Sequence, residues 1–359
     1  MAAEAILISR TDRAGDLVLT LPAFREIRRW RPDCRLVAHV RSYTAPLVAE
    51  HSDVDGILAD DAPDGRRPSL LRLAQVIRRG GFAAAILVHP APRAMLACWL
   101  ARVPVRVGRA SNLWQVFLTH RVVQHRSRNE HHEAWYNREL ARAWLAAAHG
   151  QTLPADDDPL PPVPWFRVGP ARWAAGRAAL DRAGLAGVAP VIVHPGHGGS
   201  AVNLPLAGYR QLVDRLLRAG QAVAVTMGRG EAAMAEEFPP PQRGRLGFVA
   251  DVPDLGGLLG VLAHGRGFLG GSTGPMHMAA TLGLPTVAFF PLLPAMTPER
   301  WGPVGERCLV VQPADPRCPG RCAACARGNC LAGIDLDRPL AWLEAHLKGS
   351  GTAAPREAP

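Results

Sequence analysis

Apolar residues along this chain fall into two kinds of run, short near-continuous ones and longer ones with helical spacing, and the two kinds alternate. Ala5 to Ser9, Leu36 to Val40 and Ala83 to Val88 predict buried strands, whereas Pro22 to Trp30 and Leu70 to Arg79 predict helices. Strands that are apolar on both faces belong to parallel sheets covered by helices on each side. The alternation stops where Pro154, Pro159, Pro161, Pro162, Pro164 and Pro170 surround the run Asp156 to Asp158, a composition that predicts a linker. It then restarts: a helix around Ala171 to Ala183, a strand Val191 to His194, a helix Leu206 to Arg218 closed by Gly220, and a strand Ala222 to Met227. The pattern therefore predicts an α/β chain of two Rossmann-like domains, over 1–155 and 171–336, with a linker 156–170, a last helix 337–348 and a disordered tail 349–359. Ligands of open α/β sheets bind beyond the carboxyl ends of the strands, so with two such sheets the site is expected in a cleft between them.

The segment Gly270-Gly271-Ser272-Thr273-Gly274-Pro275-Met276-His277 reads as a turn feeding straight into a helix, after a short strand ending at Phe268-Leu269. Pro275 suits the first helical turn, where its missing N–H would have been unpaired, and Gly283 suits the C-terminal cap. Unpaired N–H groups at such a helix start favour an anion, and a diphosphate is the expected occupant. The alternative is a glycine-rich corner with no ligand.

Three further strand ends carry candidate chemistry. The first leads into Arg13-Ala14-Gly15-Asp16, where Asp16 either acts as a base or caps a helix beginning near Leu17, which would lower its pKa. A second leads into His194-Pro195-Gly196, a small-residue loop that can lie against a nucleotide or sugar. The third leads into Gly228-Arg229-Gly230-Glu231, where Glu231 is a candidate for hydroxyl contacts or else a solvated residue in the next helical turn. His194 and His277 lie on separate loops without metal-ligand spacing and read as hydrogen-bonding residues.

Charge narrows the partners. The formal net charge is +10, and Lys348 is the single lysine, so arginine supplies nearly all of it. Residues 1–150 hold 22 Arg against 14 Asp plus Glu, an excess of 8 suited to an anionic membrane surface or anionic substrate. With 6% aromatic residues and no nucleic-acid-binding motif, nucleic acid is not expected as a partner. Apolar runs are too short for a bilayer span or a signal-peptide core, which predicts a cytoplasmic location. Within loop 317–331, Cys318, Cys322, Cys325 and Cys330 are spaced either as a tetrathiolate zinc or iron site or as ordinary reduced thiols.

Taken in order, Ile6-Leu7-Ile8-Ser9-Arg10 through Gly15-Asp16 and Leu21-Pro22-Ala23, then His194-Pro195-Gly196, Ser272-Thr273-Gly274-Pro275-Met276-His277 and Arg300-Trp301-Gly302-Pro303, together with the cysteine-rich tail, resemble glycosyltransferase family 9, the ADP-heptose:lipopolysaccharide heptosyltransferases. The resemblance implies a GT-B fold, with acceptor on the N-terminal domain and nucleotide-sugar donor on the C-terminal domain. It implies inverting transfer to a glycolipid or lipopolysaccharide core at the inner face of the inner membrane, with Asp16 as base and no cofactor required for catalysis. Two positions depart from the family pattern: Val202 stands where a lysine is usual and Ser272 where an aspartate is usual. Arg13 or Arg229 would then replace the missing charge, the donor would differ from ADP-heptose, or the protein would be a silent nucleotide-sugar-binding or assembly protein. A dehydrogenase is disfavoured, since no G-x-G-x-x-G follows the first strand.

Overall fold

Ala5–Arg10 is buried along its whole length, the apolar Ala5 to Ile8 and the polar Ser9 and Arg10 alike, because strands flank it on both edges and helices cover the sheet. The computed structural model describes residues 4–150, 159–199, 202–228, 230–318, 320, 325 and 328–348. Contacts divide the chain into two units, Met1–Pro161 and Pro162–Pro359.

In the first unit the described strands are β1 Ala5–Arg10, β2 Arg35–Val40, β3 Gly56–Ala59, β4 Phe82–Leu87, β5 Val105–Arg109 and β6 His120–Val122. They form one parallel sheet in the order β3-β2-β1-β4-β5-β6. The helices are α1 Ala14–Val18, α2 Leu21–Trp30, α3 Leu70–Arg79, α4 Pro92–Leu100 and α5 Glu133–His149. Helix α3 shows how sequence sets an element: the Ser69 side chain accepts from the Arg72 N–H at its start, and Leu73, Ala74 and Ile77 form its buried stripe.

The second unit repeats the plan with β7 Val191–His194, β8 Val223–Thr226, β9 Leu246–Val249, β10 Gly267–Gly271, β11 Thr286–Phe289 and β12 Cys308–Val311. Its order, β12-β11-β10-β7-β8-β9, is that of the first sheet, again all parallel. The helices are α6 Pro170–Arg182, α7 Leu206–Arg218, α8 Leu255–Ala263, α9 Gly274–Thr281, α10 Pro298–Trp301 and α11 Asp337–Lys348. In each unit the strand order reverses beside its first strand, between β1 and β4 and between β7 and β10. Those two switch points are where ligands of doubly wound sheets gather.

The proline-rich stretch is divided. Residues 151–158 lie outside the described residues, as does the tail 349–359. Trp165 and Phe166 are buried, and the Trp165 N–H donates to Thr281 O at 2.8 Å, so this part packs with the second unit.

Helices α6 and α8 touch backbone to backbone. A Cβ at Gly176 would fall 2.2 Å from the Gly260 carbonyl carbon, and one at Gly260 would fall 2.3 Å from Arg172 O. Gly176→Ala is therefore expected to destabilise the second unit by about 1–3 kcal/mol through overpacking. Denaturant titration measures this, and an unchanged midpoint would show that the helices part without loss.

Candidate functional site

At the carboxyl end of β1, Arg10 turns a buried guanidinium into a cluster of carboxylates. Its Nε donates to Asp12 Oδ1 at 2.8 Å, its Nη2 donates to Asp16 Oδ1, and its Nη1 reaches Glu133 Oε1 at 3.4 Å and Asn137 Oδ1 at 3.3 Å. Arg126 Nη1 donates to the same Glu133 oxygen. Glu133 and Asn137 lie one helical turn apart on α5, so both point from one face, and Asn137 Nδ2 donates to Leu19 O at 3.0 Å. His89, just after β4, brings Nδ1 within 3.2 Å of Asp12 Oδ2, and the Tyr43 hydroxyl donates to Asp12 O at 3.0 Å. Residues from both sides of the first switch point thus meet around Arg10.

Electrostatics separate these groups. Burial pulls the Arg10 guanidinium down, yet Asp12, Asp16 and Glu133 together hold its pKa above the ordinary value. Burial raises Asp16 to about 6; Arg10 opposes the shift, and the neighbouring charges of Asp12 and Glu133 add to it. His89 is lowered, chiefly by burial, with Asp12 partly restoring it. A carboxylate with a pKa near neutrality and 18% of its side chain exposed can take a proton from a hydroxyl.

Asp16 does not cap a helix beginning near Leu17. Helix α1 starts at Ala14, with Arg13 at the N-cap position and no side-chain capping bond. Asp16 sits inside its first turn, and its pKa is raised where a cap would have lowered it. Gly15 is likewise a helical residue of α1, and Arg13 is exposed.

At the second switch point, His194 ends β7 and its Nδ1 hydrogen-bonds Thr226 Oγ1 at 2.9 Å across to β8. Burial lowers its pKa to about 4, so the ring is neutral at neutral pH. Glu231 ties two strand-end loops together: Gly228 N–H donates to Oε2 at 2.8 Å and Gly198 N–H to Oε1 at 3.2 Å. Burial pushes this carboxyl up, but those backbone donors outweigh it and the pKa falls below the ordinary value. A Cβ at Gly196 would lie 2.0 Å from Glu231 Oε2, so a side chain there would push the carboxylate off its two backbone donors. Glu231 is thus a clamp between two loops, and the alternative of a solvated residue in a helical turn falls away.

Beyond β10, Thr273 holds the N-cap position of α9 with extended backbone, but its hydroxyl turns back to Gly271 O at 3.4 Å. No side chain caps α9, which leaves its first N–H groups disposed as an anion-binding terminus. Pro275 lies in the first turn, while Met276 and His277 are buried against the sheet. Asn203, which no motif in the sequence marks, donates from Nδ2 to Pro195 O at 2.7 Å and accepts at Oδ1 from Tyr209 OH at 2.8 Å. Asn203 also fills the space beside Gly271, where a Cβ would meet its Oδ1 at 2.2 Å. It joins the two loops of the switch point.

Ser272 is partly exposed at the turn, and Val202 packs against the apolar core of the second unit. Arg229 and Cys322 lie outside the described residues. Among the described residues, no group of three or more His, Cys, Asp or Glu is placed to hold a metal ion. Cys330 is turned onto the apolar core, and Cys318 Sγ accepts from Gly320 N–H at 3.4 Å. The described cysteines thus do not support the tetrathiolate reading.

The profile of glycosyltransferase family 9 (heptosyltransferase) matches residues 70–329. A Haemophilus influenzae protein assigned as a glycosyltransferase is 31% identical over 307 residues, spanning 84% of this chain and 87% of that one. Lipopolysaccharide heptosyltransferase 3 of Escherichia coli is 23% identical over 295 residues, spanning 77% of this chain and 80% of the relative. The solved structure of E. coli ADP-heptose lipopolysaccharide heptosyltransferase II superposes with a TM-score of 0.76 at 18% identity, covering 96% of this chain and 98% of that one. Two parallel sheets of one strand order and a match over most of the sequence place this chain in glycosyltransferase family 9, the heptosyltransferase family.

Proposed function

We propose that this glycosyltransferase moves a heptose or related sugar, with inversion, from a nucleotide diphosphate donor such as ADP-heptose to a lipopolysaccharide core or related glycolipid. The observation that carries the reading is Asp16, a carboxyl raised to about 6 inside the Arg10 cluster. In this mechanism Asp16 takes the acceptor hydroxyl proton as that oxygen bonds to the anomeric carbon. The bond from that carbon to the diphosphate breaks, and its electron pair leaves with the phosphate. The uncapped start of α9, residues Thr273 to Met276, stabilises the charge on the leaving diphosphate. Glu231 has lone pairs left for a sugar or ribose hydroxyl, and Arg13 is exposed for a phosphate or acceptor contact.

The relatives support the class of donor and acceptor, since the E. coli structure is named for ADP-heptose and lipopolysaccharide. Val202 and Ser272 favour a second reading, a silent nucleotide-sugar binder. Release of nucleotide diphosphate with product formation separates the two, because a binder holds the donor unchanged. A thermal-shift panel of ADP-, GDP- and UDP-sugars identifies the donor: ligand at about one hundred times its Kd adds about 2.7 kcal/mol of stability.

The diphosphate assignment has its own test. Gly274 lies at the first helical position of α9, and Gly274→Val obstructs close approach to the N–H groups. Affinity for ADP is expected to fall about tenfold more than affinity for adenosine. Calorimetry with both ligands measures this, or with the matching pair if another base binds. Equal losses would place the phosphates elsewhere.

A further inference from the structure

From residue 65 to residue 129 the chain contains no Asp or Glu, yet it carries twelve arginines. Inside this single-sign stretch, the 3-10 turn Leu113–Phe117 joins β5 to β6 and presents apolar side chains outward. Leu113 is 88% exposed and Val116 64%, with Trp114 at 40% and Trp99, on neighbouring α4, at 47%. These side chains form one patch, because the Phe117 ring lies between the tryptophans, tilted against Trp99 with centroids 5.3 Å apart and stacked on Trp114 at 6.0 Å.

The turn is held in this form by polar groups that leave the apolar ones outside. Asn112 Oδ1 accepts from the Trp114 N–H at 3.1 Å, Arg121 Nε donates to Gln115 O at 3.1 Å, and Arg106 Nε donates to Phe117 O. The same bonds fix the Arg106 and Arg121 guanidiniums at the rim of the patch. Arg102 is exposed just past the end of α4. Among the described residues, none of these three arginines pairs with a carboxylate. Soluble surfaces seldom expose two tryptophans, a leucine and a valine together without a partner.

We propose that this face docks on an anionic phospholipid bilayer. Trp99, Leu113, Trp114 and Val116 enter the boundary between headgroups and acyl chains, while Arg102, Arg106 and Arg121 sit at the level of the lipid phosphates. Charge selects this occupant over a second copy of the chain. A two-fold contact through the patch would set arginine against arginine with no carboxylate to separate them. Aromatic and aliphatic residues with a cationic rim match the two attractions that hold proteins in a membrane interface. Among the described residues, no helix is long and apolar enough to cross a membrane. Docking here goes beyond the transfer reaction and is separable from it, since the exposed patch can be altered without touching Asp16 or α9.

Flotation of the full-length chain with vesicles of phosphatidylcholine alone, and of phosphatidylcholine mixed with phosphatidylglycerol, tests this. Binding is expected only to the anionic vesicles and is expected to weaken as salt is raised. Leu113→Glu/Val116→Glu, both at exposed positions, should lower the bound fraction about tenfold or more, and Arg102→Glu should lower it independently. The circular dichroism spectrum and donor hydrolysis of both variants should match the parent. The proposal is overturned if the parent ignores anionic vesicles, or if both variants bind them as the parent does. It is also overturned if sedimentation shows a dimer that Leu113→Glu/Val116→Glu dissociates, for then the face joins two copies.

Discussion

Asp16→Asn is expected to lower kcat about 100-fold or more while leaving the fold intact. The amide keeps the size of the side chain and can still accept from Arg10 Nη2, but it cannot hold the acceptor proton. The parent enzyme should lose kcat/KM as pH falls through about 6, where Asp16 becomes protonated. Stability should move the other way. The folded-state pKa lies above the ordinary 3.8, so the folded chain binds the proton more tightly than the unfolded one. The contribution of Asp16 is thus greatest in acid and declines between about 4 and about 6. The variant lacks that decline, and its melting temperature at neutral pH should equal or slightly exceed that of the parent. Near-parent turnover would remove Asp16 from the chemistry.

Arg10→Met should give the largest loss of stability. Arg10 is 4% exposed and faces Asp12, Asp16 and Glu133. Methionine fills part of the space but leaves buried carboxylates without their shared cation, a change that typically costs about 3–5 kcal/mol. For a unit of this size that corresponds to a fall in Tm on the order of 10 °C. The deficit should narrow on acidification, as the stranded carboxyls take up protons, and melting curves at neutral and acid pH measure both effects. A parent-like Tm at neutral pH would mean that water, not Arg10, solvates the cluster.

Elements with an apolar stripe and a clear stop were legible in the sequence. α3, α7, β7 and α11 have the bounds that spacing predicts, because stripes such as Tyr209, Leu212, Val213, Leu216 and Leu217 identify a helix by themselves. Helix α5 was not legible. Its buried face includes Glu133, Asn137, Arg138 and Arg142, polar residues that mask the stripe until their partners are known. β5, Val-Arg-Val-Gly-Arg, is half-polar for the same reason, since the Arg106 guanidinium is used on backbone carbonyls.

The candidate site divides in the same way. Asp16, His194 and the Ser272–His277 turn are marked locally, by glycine, proline and the end of a strand. Arg10 and Glu133 meet across 123 positions of sequence, and nothing short of the folded sheet brings them together. A charged residue closing an otherwise apolar strand was the one signal that could have pointed to Arg10. For Asn203 the signal was fainter still, because its role lies in three backbone and side-chain bonds that spacing does not encode.

The packing of Val202 decides what a charge placed at that position would meet. Its side chain rests against the core that holds Tyr209, Leu212 and Phe289. A lysine at that position would have to lay its stem along this apolar surface and carry its ammonium clear of it. Val202 is a short, uncharged side chain set against apolar neighbours, so Val202→Lys alone would add a cation without a polar pocket to receive it. A cation is therefore more easily added at the exposed loop positions around the second switch point than at 202, where it would have to be carried out of an apolar surface.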